Sequence, residues 1–222
     1  MPRTKAQPGL AKVDPVAPYE RAPERRRQEL VDAALDEFST KGFGGARVDA
    51  IVARTNSNKA MVYHYFGSKE GLYLAALEAV YADIRAQETL IDFEQMSPDA
   101  ALACLTEFTF QYYLDHPAFV RMINNENLHQ AQYLKRSRSI AAANSSIIDK
   151  LARILQRGAA SDVFRANLDP VDVYISISAL GFMYVANQHT LSVVFDRDMM
   201  SARALQNRMS TIKDIILRYV QR

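Results

Sequence analysis

Residues 58–66 carry the side chains of this chain that are best suited to contact nucleic acid. Val62 and Phe66 are four residues apart, so they would share the inner face of a short helix. The outward face then combines a cation, a phenol, an imidazole and two apolar groups, which together can meet phosphates and base edges. Its members are Lys59, Ala60, Met61, Tyr63 and His64. Singly, each is equally consistent with an ordinary surface or core residue, whereas the ordered set favours DNA binding.

The elements that must position this face form a predicted helix-turn-helix. A short helix over Val48–Arg54 precedes the second helix, Asn58–Phe66, and the polar turn Asn56-Ser57-Asn58 joins them. In this motif the first helix crosses the DNA backbone and the second enters the major groove. After the break at Gly67-Ser68, Ser68 is predicted to cap a long fourth helix that runs to about Leu90.

Upstream of this motif the pattern predicts one amphipathic helix and an arm. Leu30, Ala34 and Phe38 recur at helical spacing from residue 24 onward, and Gly42 is typical of a C-cap. Residues 1–23 hold five of the eight prolines and show no apolar period, so we expect a disordered arm there.

Residues 24–70 resemble the DNA-binding domain of the TetR family of transcriptional regulators. The resemblance implies a homodimer that binds palindromic operator DNA and is released when a small molecule binds its C-terminal domain. Repression is the family's commoner mode, and activation is the alternative. Asp115-His116-Pro117 most resembles the RutR-like branch. The resemblance rests on Ala34-Leu35-Asp36-Glu37-Phe38, Gly42-Phe43 and Tyr63-His64-Tyr65-Phe66-Gly67-Ser68-Lys69-Glu70-Gly71-Leu72.

The resemblance also implies which residues contact DNA. Lys69 would hold a phosphate at the start of the fourth helix, where the helix N-terminus adds backbone N–H groups. Met61 could pack on a thymine methyl group. Arg47 stands where the family usually has a capping Thr; Arg can meet the phosphate but cannot cap. The full set is Arg47, Lys59, Met61, Tyr63, His64 and Lys69.

The turn also departs from the family pattern, because Asn56-Ser57-Asn58 replaces the commoner Gly-Val-Ser. We expect Asn to tolerate the left-handed conformation that a turn glycine supplies, and Asn58 to cap the second helix. Ser57 replaces an apolar residue and would loosen the packing slightly. These departures leave the operator sequence open.

Residues 71–222 are predicted to form a larger helical domain for ligand binding and dimerisation. Helices are also predicted over about Gln132–Arg157, closed by Gly158, and over about Met199–Val220. The chain is therefore predicted to be all-α with about nine helices. Three further helix starts are marked by prolines at the first helical position: Pro98, Pro117 and Pro170.

Aromatic and amide side chains crowd the middle helices of this domain, and an apolar pocket with a few polar groups is how helices commonly hold small molecules. Each of these residues could instead only fill the core. Glu126 is a carboxylate among apolar residues, which could accept a ligand N–H or pair with Arg121. The predicted ligand contacts are Phe108, Tyr112, Glu126, Asn127, Phe182 and Gln188.

The last two predicted helices are the candidate homodimer interface. The first of them, Pro170–Phe195, is apolar most of the way round, and Ala179, Gly181 and Ala186 permit close approach. The final helix carries one continuous apolar stripe. Packed in pairs across a two-fold axis, they would form a four-helix bundle.

Composition limits the remaining classes. Residues 1–70 hold 12 Lys and Arg against 9 Asp and Glu, a mild excess that fits nucleic-acid binding but not a non-specific polycation. The 23 residues Val173–Phe195 lack Asp, Glu, Lys and Arg, yet their polar side chains favour a core helix over a membrane span. The single Cys104 is read as a core thiol, and the start of the chain shows no apolar signal segment. We therefore expect a cytoplasmic protein.

An enzyme is the chief alternative class. The sequence has no Walker-type loop, nucleophile elbow or zinc-protease motif, and Gly42-Phe43-Gly44-Gly45 is not followed by Lys and Ser or Thr. His116, His129 and His189 lack a partner at ligand spacing, so we expect no metal and no cofactor.

Overall fold

The structure is a computed structural model that describes the backbone of residues 21–222 and their side chains from residue 23. It confirms the all-α prediction: ten α-helices are present in the described part of the chain, with two single 3₁₀ turns and one isolated β-bridge between Phe164 and Gln221. The helices are α1 (Arg21–Gly45), α2 (Val48–Val52), α3 (Lys59–Phe66), α4 (Lys69–Thr89), α5 (Pro98–Asp115), α6 (Pro117–Leu128), α7 (Ser139–Ala160), α8 (Pro170–Ala186), α9 (Gln188–Val194) and α10 (Ala202–Val220).

The first helix begins at Arg21, three residues before the predicted start. Residues 1–20 of the predicted arm lie outside the described residues. Gly42 interrupts the helical conformation with φ +67° and ψ 173°, a region that glycine adopts without strain. The predicted break at Gly42 is therefore confirmed, and the chain turns there toward α2.

The helix predicted over Gln132–Arg157 differs most from the structure. Gln130 and Ala131 have positive φ angles of 56° and 57°, and a 3₁₀ turn follows before α7 begins at Ser139. Gly158 does not close α7 but lies inside it. A glycine is needed there because a Cβ would stand 2.0 Å from the Phe164 ring. This glycine lets the loop after α7 fold back against the helix.

One helix more than predicted results from a break in the predicted helix Pro170–Phe195. Helix α8 ends at Ala186, and Asn187 donates its side-chain amide to the Met183 carbonyl at 2.9 Å. The short α9 follows directly. The start of α8 at Pro170 is as predicted, and Asp169 caps it: its carboxylate accepts from the Val171 N–H at 2.8 Å.

Two hydrophobic cores divide the described chain, and α4 takes part in both. Its first half, with Leu72 and Leu77, packs with α1 to α3, whereas its second half, with Val80 and Ile84, packs in the larger C-terminal core. Helix α6 also spans the two, since Met122 lies in the N-terminal core while the same helix packs against α5 and α8. The two domains are thus joined by two helices.

Among the described helices, none combines the length with the apolar character that crossing a bilayer requires.

Candidate functional site

Helix α3 presents one apolar and one solvent-facing side, as the spacing predicts. Val62 is fully buried under the helix, while Lys59, Tyr63 and His64 are exposed and Met61 is half-buried. The Asn58 carboxamide accepts from the Met61 N–H at 3.1 Å, which confirms the predicted cap. The exposed side chains therefore stand on a short, capped and rigid element.

The turn before α3 forms without left-handed backbone. None of residues 56–58 has a positive φ angle. The expectation that an Asn adopts the left-handed conformation in this turn is therefore wrong. The Ser57 hydroxyl is buried without a hydrogen-bond partner, a cost that an apolar residue at this position would avoid.

A buried carboxylate holds the helix-turn-helix to α1. Glu37 is completely buried, and its Oε1 accepts from Lys41 Nζ at 2.8 Å and from the Arg47 N–H at 3.3 Å. Its Oε2 accepts from Arg54 Nη2 at 3.3 Å. The hydrogen bond from Lys41, aided by Arg47 and Arg54, lowers the pKa of Glu37 despite the opposing effect of burial. Sequence reasoning missed this role, although the Lys four residues later on the same helix is a usable signal.

Two lysines predicted to contact DNA have intramolecular partners. Lys59 Nζ lies 2.6 Å from Asp49 Oδ1 on α2, and this hydrogen bond and charge raise the pKa of Lys59. Lys69 Nζ lies 4.7 Å from the centre of the Phe43 ring, within cation–π distance. Lys59 is exposed and Lys69 is half-buried, so the two ammonium groups lie at the surface to different extents.

Arg47 and Ser68 behave as predicted at the helix starts beside α3. Arg47 is the exposed N-cap residue of α2 and makes no side-chain cap hydrogen bond. Ser68 caps α4, accepting from the Gly71 N–H at 3.1 Å. The path there is tight, since a Cβ on Gly71 would lie 2.0 Å from the Phe66 carbonyl oxygen.

A cavity of about 660 Å³ lies between α4, α5, α6, α7 and α8. Arg85 is its one charged lining residue, and the remaining walls are aromatic, aliphatic and amide-bearing. The residues that line it are Tyr81, Arg85, Tyr113, Phe119, Ile123, Asn127, Asn144, Ile148, Tyr174, Ile175, Ser178, Ala179 and Phe182.

Of the six residues predicted to bind ligand, Asn127 and Phe182 line this cavity and the other four do not. Phe108 packs at the edge of the C-terminal core, and Gln188 is the first residue of α9, beyond the end of α8. The position of Gln188 cannot be predicted from helical spacing alone, because the break at Asn187 changes the direction of the chain.

Tyr112 and Glu126 are committed to contacts outside the cavity. The Tyr112 hydroxyl donates to Asp83 Oδ2 at 2.7 Å. Glu126 is buried, and its Oε2 accepts from the Leu134 N–H at 2.9 Å; the proposed partner Arg121 is exposed and is not among its hydrogen-bond or ion-pair partners.

Arg85 is the charged one among the lining residues that sequence reasoning missed. Its side chain is 10% exposed, and its Nη1 lies 2.9 Å from Glu88 Oε2 while its Nη2 donates to the Tyr174 hydroxyl at 2.7 Å. An arginine in a long amphipathic helix usually lies at the surface, so nothing in the sequence separated Arg85 from its exposed neighbours.

Helix α6 carries both cavity residues and a contact to the N-terminal domain. Ile123 and Asn127 line the cavity, whereas Asn125 Nδ2 donates to the Phe38 carbonyl on α1 at 3.3 Å. An exposed recognition helix, joined through α4 and α6 to a helical domain with a ligand-sized cavity, defines a DNA-binding transcriptional regulator of the ligand-responsive class.

Comparison with known proteins identifies the family. Residues 30–76 match the family described as bacterial regulatory proteins, tetR family, and residues 98–216 match the tetracyclin repressor-like C-terminal domain. The chain belongs to the TetR family, whose members are transcriptional regulators and not enzymes.

Relatives with stated roles agree with this assignment. The HTH-type transcriptional repressor NicS of Pseudomonas putida is 34% identical over 199 residues, which cover 90% of this chain and 94% of NicS. The HTH-type transcriptional regulator RutR of Escherichia coli O157:H7 is 29% identical over 152 residues, 68% of each chain. The crystal structure of the putative regulator SCO4942 from Streptomyces coelicolor shares the fold, with a TM-score of 0.65 and 23% identity over 88% of this chain and 98% of that one.

Proposed function

We propose that this protein is a transcriptional repressor that binds a palindromic operator as a homodimer and leaves it when a small molecule occupies the cavity. The observation that carries the proposal is the pair of helices, α4 and α6, that each contribute to the cavity and to the N-terminal core. The similarity to the repressor NicS over nearly the whole chain supports the repressing mode.

The DNA-binding half of the proposal uses α3 as the recognition helix. Tyr63 and His64 would meet base edges or phosphates, and Met61 would pack on a thymine methyl group. Arg47 and Lys69 flank α3 and would hold phosphates on either side. Lys59 would exchange its Asp49 partner for a phosphate, at the cost of an exposed ion pair that is worth little in water.

The dimer half rests on exposed apolar side chains of α8 and α10. Val171, Ile175 and Met183 recur on one side of α8, where Ile175 also lines the cavity. Ile215 and Tyr219 lie exposed on α10. Because α8 packs against α10, these side chains can form one self-complementary patch. A dimer with its recognition helices about 34–36 Å apart could engage two half-sites in successive major grooves.

Binding to the chain's own promoter region tests the regulator function. Affinity for a palindrome from that region should exceed affinity for random DNA of equal length by about 10³-fold or more at physiological salt, measured by fluorescence anisotropy. Equal affinity for both sequences would remove the sequence-specific function. In a reporter assay, deletion of the gene should raise expression from that promoter; a fall would indicate an activator.

Lys69→Ala tests the phosphate contacts. Loss of one phosphate contact should weaken binding to operator and random DNA alike and reduce the log–log salt slope by about one unit. Arg153→Ala, which removes a half-exposed cation of α7 that pairs with Glu94, serves as the control and should leave the slope unchanged. An unaltered slope in Lys69→Ala would exclude this lysine from the contacts.

A further inference from the structure

Within the C-terminal cavity, one positive charge faces a wall of aromatic rings. Of the thirteen lining residues, Arg85 alone carries a formal charge, and five are aromatic. The aromatic residues are Tyr81, Tyr113, Phe119, Tyr174 and Phe182. No carboxylate is among these lining residues, so whatever occupies the space meets a cation without a competing anion at the cavity surface.

The guanidinium of Arg85 retains hydrogen-bonding capacity. Its Nη2 donates to the Tyr174 hydroxyl at 2.7 Å, but Nε and Nη1 are buried without a hydrogen-bond acceptor, even though Nη1 lies 2.9 Å from Glu88 Oε2. A buried charged donor left unsatisfied is unfavourable, and arginine donors are arranged to receive a carboxylate in a bidentate manner. A carboxylate in the cavity would satisfy these donors if it drew the Arg85 side chain toward it, because neither nitrogen is exposed in the present conformation.

Glu88, which lies outside the cavity lining, balances the charge of Arg85 only in part. Burial raises the pKa of Glu88 to about 7, against the opposing charges of Arg85 and Lys150. Lys150 Nζ, which donates to the backbone carbonyl of Glu88 at 3.2 Å, adds a second cation beside this single carboxyl group. The net charge behind the cavity wall is positive, which favours an anionic ligand.

The other lining residues indicate the shape of the uncharged part of that ligand. Tyr113 stands edge-on to Phe182 with ring centres 5.7 Å apart, and Phe119 lies parallel to Tyr113 at 5.8 Å. Such edges and faces suit a flat ring. Asn127 and Asn144 also line the cavity and can meet a polar substituent on that ring.

We propose that the effector is a small aromatic carboxylate whose carboxylate is held by Arg85 and whose ring packs among the five aromatic side chains. This inference rests on the proposed function and specifies its ligand. A volume of about 660 Å³ accommodates one or two fused rings with room for substituents. A doubly charged phosphate ester suits the site less well, because Arg85 is the only cation among the lining residues.

Acids and their neutral amides provide the test on the full-length protein. Benzoate and 2-naphthoate are compared with benzamide and 2-naphthamide by isothermal titration calorimetry at pH 7.5, with phenyl phosphate as the phosphate probe. At least one acid should bind about 10-fold to 100-fold more tightly than its amide, the range expected for a charge-assisted hydrogen-bond pair. Equal binding of acid and amide, no binding of either acid, or tighter binding of phenyl phosphate than of benzoate would each overturn the proposal.

Variants then identify the residue responsible. Arg85→Gln should abolish the preference for the acid over the amide, and Arg85→Lys should retain part of it. Arg153→Gln on α7 removes an arginine that is about half exposed and pairs with Glu94, and it should leave the preference intact. An acid preference that survives in a folded Arg85→Gln protein would overturn the assignment, and the comparison of acid with amide on the unaltered chain remains decisive if that variant fails to fold.

Operator release separates this inference from the proposed function. If an acid binds through Arg85 but DNA stays bound, the ligand class stands and the ligand-released repressor does not. If an amide releases DNA as effectively as its acid, the repressor stands and the carboxylate class is overturned.

Discussion

At the residue scale, Glu37 connects the elements that support the recognition helix without belonging to the exposed surface. It accepts hydrogen bonds from Lys41 on its own helix, from the backbone at Arg47 and from Arg54 beyond α2. Because the carboxylate is buried, these donors replace water that it would otherwise bind. Glu37 therefore links α1 to both ends of α2, in addition to the apolar packing of the N-terminal core.

Glu37→Gln should lower the free energy of unfolding by about 1–3 kcal/mol at pH 7, because the charge-assisted bonds are weakened inside a buried site. Urea denaturation followed by circular dichroism measures the loss. Glu29→Gln removes a half-exposed carboxylate of the same helix, paired with Arg25, and should cost less than about 0.5 kcal/mol. Similar losses in the two variants would contradict the role of Glu37.

The same residue gives a pH dependence of defined sign. The pKa of Glu37 is lowered in the folded protein, so its stabilisation is present above the unfolded value of 4.5 and is lost as pH falls through the folded value. The stability difference between the wild type and Glu37→Gln should therefore narrow below about pH 4.5. A difference that stays constant into this acid range would indicate that the carboxylate charge is not what stabilises the site.

Phe182 and Phe108 are two half-buried phenylalanines that separate a cavity role from simple packing. Phe182 lines the cavity and Phe108 does not. Either change to alanine should lower the free energy of unfolding by about 1–3 kcal/mol, because the buried part of the ring is lost and a void remains. Only Phe182→Ala should also weaken binding of the cavity ligand at unchanged operator affinity, measured by calorimetry and anisotropy. Equal weakening by Phe108→Ala would indicate plain destabilisation.

At the scale of elements, α6 connects the cavity to α1, which supports the helix-turn-helix. Ile123 and Asn127 face the ligand space, and Asn125, between them, reaches the carbonyl of Phe38. The Asn125 side chain also lies 3.6 Å from the position that a Cβ on Gly42 would take, at the bend that ends the regular part of α1. A shift of α6 would therefore move the Asn125 contacts and displace the backbone at that bend.

Asn125→Ala should reduce the coupling between effector and operator. Its loss removes the side-chain hydrogen bond to α1, so ligand-driven movement of α6 is transmitted less completely. The coupling is the ratio of operator affinities with and without a saturating ligand, and we expect this ratio to fall about fivefold or more. Asn124→Ala, at the adjacent half-buried position, is the control and should leave the ratio unchanged; a fall in both variants would remove Asn125 from the route.

At the scale of the whole molecule, several apolar side chains of α8 and α10 remain exposed on the surface of the C-terminal domain. Met183 is 52% exposed and Ile175 is 56% exposed, although both lie on a helix whose other side is buried in the core. Patches of this kind commonly mark contacts between proteins. A two-fold arrangement would cover them with their own counterparts.

Met183→Glu should convert the dimer to a monomer, because a charge would be buried against apolar side chains of the second copy. Sedimentation velocity measures the association state, and operator affinity should fall at least about tenfold as the second half-site contact is lost. Leu90→Glu changes an 85% exposed residue at the end of α4 and should alter neither property. A Met183→Glu protein that remains dimeric would exclude this face.

The sequence by itself determined the helices of the N-terminal domain and the outward face of α3. Apolar spacing places Val62 inside and Tyr63 outside, and Asn58 and Ser68 cap with their own side chains, so these features depend on residues within one or two turns. Local chemistry of this kind is readable without knowledge of the rest of the chain.

Only the tertiary structure decided which residues form the cavity. Arg85 and Glu88 follow the same helical spacing as exposed charges. They are buried because α7 packs against α4 and because side chains of α5 and α8 reach the same part of α4. Tyr112 donates its hydroxyl to Asp83 outside the cavity, although its neighbour Tyr113 on the same helix lines the cavity. Burial depends on elements far away in sequence, and periodicity within one helix cannot report which neighbour will cover each face.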